Sequence, residues 1–187
     1  MIKRLNLLWN KEKNYMQLAS VNRKAIREYN EKNLSALTLI GGLLMMLPLF
    51  AAPFSNTKIY VIPAYLLAAT LFFILFLIFK FSFMKKYALG GLYISFTVLF
   101  LLAIYLSVIH TPNMRATILP GAFCIMPLGF IDRPVRMNLF VAFWLALHTI
   151  LAFYLKPQYA FDDTINCLCF AILGCFIGNR MVWGRLE

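Results

Sequence analysis

Apolar residues gather into long unbroken runs at about 34–52, 59–79, 87–109, 116–131, 135–155 and 164–182, each bounded by polar residues, Pro or Gly. A helix needs ~20 apolar residues to cross ~30 Å of hydrocarbon, so the runs predict six transmembrane helices. The fold class expected is an all-α integral membrane protein, a six-helix bundle. The fourth run is short and holds Pro120 and Pro127, each of which removes a backbone donor and kinks a helix. A kinked span survives in a membrane where neighbours satisfy its freed carbonyls, which places this helix inside the bundle.

The segment before the first run has a different pattern. Residues 1–33 carry eight Lys and Arg against Glu12, Glu28 and Glu31. Leu18, Val21, Ala25 and Tyr29 recur at helical spacing, predicting a basic amphipathic cytoplasmic helix along the membrane surface. A solvated basic tail that only sets topology is the alternative. No short apolar core followed by small residues marks a cleavable signal peptide. The chain thus divides into a basic segment 1–33, a six-helix domain 34–182, and the start of a cytoplasmic exit helix at 183–187.

Composition agrees with the pattern. Of 187 residues 62% are hydrophobic and 13% charged, with a mean hydropathy of +0.76, well beyond a soluble domain. The net charge of +11 does not point to nucleic acid, because the basic residues lie at the ends of apolar runs; the partner expected is a bilayer with anionic head groups. Counting Lys and Arg on the two sides of the six runs gives fifteen against Lys58, Arg115 and Lys156. By the positive-inside rule both termini are cytoplasmic, in a multi-pass membrane protein.

Cys124, Cys167, Cys169 and Cys175 lack zinc-site spacing and read as small core residues. Gly41-Gly42 and Gly90-Gly91 read as points of close helix approach. No phosphate-cradling loop, nucleophile turn or metal helix is present, so these residues predict no catalytic residue, no metal and no cofactor.

Polar residues at membrane depth are costly and are therefore candidate functional positions. His148 falls mid-way along the fifth run and Asn166 just inside the sixth. Asp162 and Asp163 precede the sixth run, where carboxylates suit a helix cap. Alternatively they join Lys58, His110 and Arg115, with His148 and Asn166 behind them, in an external site for an unknown small-molecule ligand. On the cytoplasmic side Phe130-Ile131-Asp132-Arg133-Pro134-Val135-Arg136 makes a tight turn, with Asp132 and Pro134 suited to a helix start. Asp132, Arg133, Arg136, Arg180 and Arg185 are the candidates for signal transmission. The last helix leaves the membrane at Gly178 to Glu187 with no stop signal, as though the chain continued.

The basic run Val21 to Lys24 and Glu31 to Leu34, the Phe130 to Pro134 turn and the Leu173 to Glu187 exit helix together resemble the N-terminal six-helix region of bacterial membrane-bound GGDEF proteins, the diguanylate cyclases. The resemblance implies a sensor and homodimerisation region of the bacterial inner membrane that couples a stimulus to a C-terminal cytoplasmic signalling domain, one making cyclic di-GMP or equally a phosphodiesterase or kinase. No GGDEF sequence lies in this chain. Two other classes fit the same pattern: a six-helix uptake subunit for a vitamin-type small molecule, and a passive membrane anchor.

Overall fold

The computed structural model describes residues 14–51, 61–81 and 84–186. They are helical almost throughout. Residues 14–21 are helical and run through Asn22 into α1 (Arg23–Ala51). Then follow α2 (Ile62–Lys80), a 3-10 turn (Lys85–Tyr87), α3 (Ala88–Ile104) with a π turn (Tyr105–His110), and α4 (Ile118–Ile125) with a 3-10 turn (Met126–Leu128). The hairpin of α5 (Pro134–Leu155) and α6 (Pro157–Leu186) completes the order. Five of these helical stretches are long and apolar enough to cross a membrane, and Ile118–Leu128 is a shorter apolar helix.

The first helix α1 packs against α2 and α3, α4 against α3 and α6, and α5 against α6. The α3 stretch lies at the centre, since 56% of its apolar window is buried against 17% for α2. Phe96 and Phe100 of α3, Phe123 of α4, Met137, Val141 and Trp144 of α5 and Cys167 and Ala171 of α6 form one core. Phe100 stacks on Trp144 at 5.5 Å and meets Phe123 at 4.8 Å, within the range where ring pairs add to simple burial. Large apolar side chains such as Leu43, Leu67, Phe143, Ile150 and Phe176 face outward, as lipid-facing positions do.

Two buried hydroxyls are satisfied within their own helices: Thr38 donates to the Leu34 carbonyl at 2.7 Å and Ser95 to that of Gly91 at 2.9 Å. Glycines allow two close approaches. A Cβ on Gly91 would lie 2.7 Å from Leu34 and Phe79, and one on Gly174 would lie 2.6 Å from the Phe123 carbonyl oxygen. Pro127 has no N–H to offer that carbonyl, which is turned against the bare Gly174 backbone. Gly178 meets Pro127 in the same way, so Gly174 and Gly178 form a small-xxx-small stripe that seats α4. Gly41 and Gly42 face the rings of Phe72 and Phe73, whereas Gly90 has open space around it.

The fourth apolar run is only partly helical. Ala116 is bonded to Asp163 and Ile131 clusters with Val182, two positions of α6 separated by a rise of roughly 28 Å. The chain covers this distance with Ile118–Leu128 and an extended, irregular stretch from Gly129 to Arg133. Pro120 sits in the first turn of α4, where its missing N–H leaves no gap. Pro127 ends the α-helix in a 3-10 turn. Phe130, Ile131 and Asp132 of this irregular stretch are buried against other helices, a circumstance in which a membrane interior tolerates non-helical backbone.

The amphipathic stripe differs from the expected one. Val21 is 83% exposed and Ala25 is exposed, while Tyr15, Leu18, Asn22, Ile26 and Asn30 face the bundle. This N-terminal segment packs on Ile131 and the end of α6 through Tyr15, Leu18, Ile26 and Tyr29, and its inward face includes asparagines that hydropathy counts as polar. Cys169 is exposed, unlike the buried Cys167, which corrects its reading as a core residue.

Candidate functional site

Two polar constellations occupy opposite ends of the bundle. The terminal end is the one where α1 begins and α6 finishes, and the far end holds the connections between α3 and α4 and between α5 and α6.

At the far end α5 and α6 are joined by the single residue Lys156. Pro157 follows it and disfavours helical geometry in the residue before; Lys156 adopts φ −144°, ψ 51°, which turns the chain back. The Lys156 side chain is fully buried. Its Nζ donates to Asp163 Oδ2 at 2.7 Å and to the Ser107 carbonyl at 3.1 Å, and it lies 5.5 Å from the Tyr159 ring. Asp163 Oδ1 accepts the Ala116 N–H at 2.9 Å. The Ser107 carbonyl belongs to the π turn, whose Thr111 donates to Leu106 through both N–H, at 3.2 Å, and hydroxyl, at 2.7 Å. π turns are widened and recur at functional positions. One buried ion pair therefore ties together the end of α3, the chain entering α4, and the α5–α6 hairpin.

His148 lies deeper on α5. It is 0% exposed, neither ring nitrogen has a hydrogen-bond partner, and it is within electrostatic range of Asp163 and Lys156. Thr164 Oγ1 and Trp144 Nε1 are also buried without partners. On the outside Arg115 pairs with Asp162 at 2.9 Å, both groups well exposed. Arg115 and His110 share a groove of about 340 Å³ with Tyr65, Ser107 and Thr117 on its polar side and Val61 and Leu106 on its apolar side. His110 stacks on Tyr105 at 6.4 Å. Ser107 thus belongs to both features: it lines the groove and its carbonyl holds Lys156.

The structure brings His110, Arg115 and Asp162 together at the surface and Asp163 and His148 together beneath. Asn166 is exposed on α6 and joins neither set. Lys58 lies outside the described residues. Because α6 begins at Pro157, Asp162 and Asp163 stand within the helix rather than capping it. Lys156 and Ser107 are absent from the sequence-based candidates. A lysine directly before a proline between two apolar runs, with an aspartate seven residues on, is the signal that points to the pair.

At the terminal end the groups that hold the backbone of residues 129–131 are neutral amides. Asn30, 3% exposed, donates from Nδ2 to the Ile131 carbonyl at 2.8 Å and accepts the Ile131 N–H on Oδ1 at 2.9 Å. Asn33 donates to the Gly129 carbonyl at 2.6 Å. The irregular 129–133 stretch thus gains from α1 the hydrogen bonds that no helix supplies. Asp132 accepts the Tyr93 hydroxyl at 2.7 Å and lies 3.4 Å from Arg136. It does not cap α5, which starts at Pro134 with no side-chain cap bond. Ile131 packs with Tyr15 and Val182, Trp183 meets Tyr15 edge-on at 6.1 Å, and the Arg185 guanidinium lies over the Tyr29 ring at 4.5 Å. Of the residues expected to transmit a signal, Asp132, Arg136 and Arg185 join this junction, while Arg133 and Arg180 are exposed. Asn30, Asn33 and Tyr93, which hold the junction, are absent from the sequence-based candidates.

Among the described residues no group of three His, Cys, Asp or Glu side chains is placed to hold a metal ion. Comparison with protein-family models, with curated proteins and with solved structures finds no match for this chain.

Proposed function

We propose that the chain is a membrane input module: six crossings with both termini in the cytoplasm, sensing at the far end, and transmission through the terminal end to a cytoplasmic output domain of the GGDEF type. The observation that carries this reading is the clamp of Asn30 and Asn33 on residues 129–131, with Ile131 set against Val182. Through it the first helix, the irregular end of the fourth crossing and the last helix form one junction. A displacement of the α4 segment relative to α6 reaches both α1 and the end of α6.

The far end supplies a stimulus-responsive element. Lys156 and Asp163 close the entrance to α4 and the α5–α6 hairpin at once, and the groove holding His110 and Arg115 touches that pair through Ser107. An anionic or proton-donating ligand in the groove would compete for the same donors and carbonyl. A ligand shifts a two-state bundle only by its differential affinity for the two states. The unequal count of basic residues supports the orientation, because those of the fifteen that lie within the described residues stand at the terminal end. Two copies acting together would suit an output that needs two catalytic domains to meet.

The test is a graded insertion of one to four alanines after Gly184 in a fusion of the chain to a diguanylate cyclase domain, with cyclic di-GMP measured in cells. The input reading predicts output that rises and falls with helical phase, ~100° per added residue. Output indifferent to phase would contradict it and favour a passive anchor.

A further inference from the structure

A groove of about 440 Å³ opens at the terminal end between α1, α2 and the start of α3. Its floor is apolar, made by Leu34, Phe76 and Phe79. Its rim carries Lys32 from α1, Lys80 from the last turn of α2 and Lys85 from the 3-10 turn that follows. All three lysines are exposed, and none belongs to an ion pair among the described residues. Of the two carboxylates on the rim, Glu31 is engaged by Arg27 at 3.0 Å, which leaves Glu28. Three elements therefore bring three ammonium groups to the mouth of an apolar cleft, at the level where the apolar helices give way to polar chain.

We infer that this groove binds one diacyl phospholipid with an anionic head group, the phosphate among the lysines and an acyl chain along Phe76 and Phe79. Charge and shape select this occupant. A soluble anion satisfies the rim and leaves the aromatic floor unused; a zwitterionic lipid fills the floor and brings its own cation to the lysines. Basic pockets between helices at the cytoplasmic face are sites of this kind. The bound lipid bridges α1 to α2 and α3 beside Asn30 and Asn33, so its occupancy bears on the junction that clamps residues 129–131. The inference rests on the reading of this end as a membrane interface, and its test does not depend on signalling.

The full chain, purified in mild detergent, is titrated with phosphatidylglycerol and with phosphatidylcholine of the same acyl chains, and bound lipid is counted by native mass spectrometry. One tightly held phosphatidylglycerol is expected, preferred by roughly tenfold or more. Lys32→Gln/Lys80→Gln/Lys85→Gln abolishes the preference, while Arg133→Gln/Arg180→Gln/Arg185→Gln, an equal loss of charge at the same end, retains it. Glycerophosphoglycerol, the head group without chains, does not compete. A preference surviving in the lysine variant, equal loss in both variants, or competition by the bare head group overturns the proposal. Because the three lysines are exposed, an unchanged thermal midpoint of the variant separates lost binding from lost fold.

Discussion

The far end of the bundle is closed by a buried ion pair, whereas at the terminal end amides hold the backbone of residues 129–131. Lys156 and Asp163 are both fully buried, and each uses its remaining capacity on backbone groups of another element. Asn30 and Asn33 do the corresponding work at the other end with neutral groups bonded to backbone. The two arrangements respond differently to disturbance. A buried ion leaves an uncompensated charge when its partner goes, whereas a neutral amide leaves one or two unpaired hydrogen-bonding groups. Breaking the far-end pair, the latch of the proposed mechanism, therefore costs more than breaking the terminal-end joint.

The largest effect is expected from the latch. Asp163→Asn or Lys156→Met should destabilise the chain by about 3–5 kcal/mol, as the loss of one partner of a buried pair does. Unfolding titrations in mixed micelles would measure this. Lys156→Met/Asp163→Leu should recover a substantial part, because neither charge then remains buried. If the double variant is as unstable as the sum of the singles, the pair is not a unit.

Next comes the helix seat between the two ends. Gly174→Ala places a Cβ 2.6 Å from the Phe123 carbonyl oxygen, and overpacking of this kind costs about 1–3 kcal/mol. Gly90→Ala, with nothing within 4 Å of the added carbon, should be neutral or stabilising in the same assay. A similar loss from Gly90→Ala would deny that the Gly174 effect is steric.

The joint itself should yield less than the latch. Asn30→Ala leaves the N–H and carbonyl of Ile131 without their partners, a loss of about 1–3 kcal/mol, and hydrogen exchange at residues 129–133 should accelerate while the far end keeps its protection. Acceleration spread evenly over all helices would mean that Asn30 supports the whole fold and does not act as a local clamp. The smallest effect belongs to Arg115→Gln, since exposed pairs contribute ~0–1 kcal/mol. That contribution should vanish in 1 M salt, where screening acts over ~3 Å.

What the sequence makes legible follows from what hydropathy measures. The apolar runs at 59–79 and 135–155 lie within a few residues of α2 (Ile62–Lys80) and α5 (Pro134–Leu155), because burial in lipid and burial in protein both select apolar side chains. The start of α1 is not legible from the run at 34–52. Its first turns are held by Ile26, Asn30 and Asn33 against residues distant in sequence, and two of these are polar. Similarly, α6 begins at Pro157 rather than 164 because Asp162 and Asp163 are absorbed by Arg115 and Lys156. Charges in a connection read as solvated until their partners are known. The candidate set held Asp163, His148, His110 and Arg115 but omitted Lys156, which entered only the charge count. The turn at 130–134 was legible as a turn from its proline and aspartate. Its attachment to α1 was not, since no local pattern marks an asparagine whose partner lies about a hundred positions away.

The proposed link between the two ends is tested most directly by the distance between spin labels at positions 25 and 180, on α1 and α6 at the terminal end, measured by pulsed electron resonance. The four native cysteines are first replaced, and the protein is held in lipid nanodiscs with Lys156 and Asp163 intact or with Lys156→Met/Asp163→Leu. The account predicts that opening the latch adds a second population displaced by several ångströms at the terminal end. An identical distance distribution in both proteins, with the helices still folded, would contradict it.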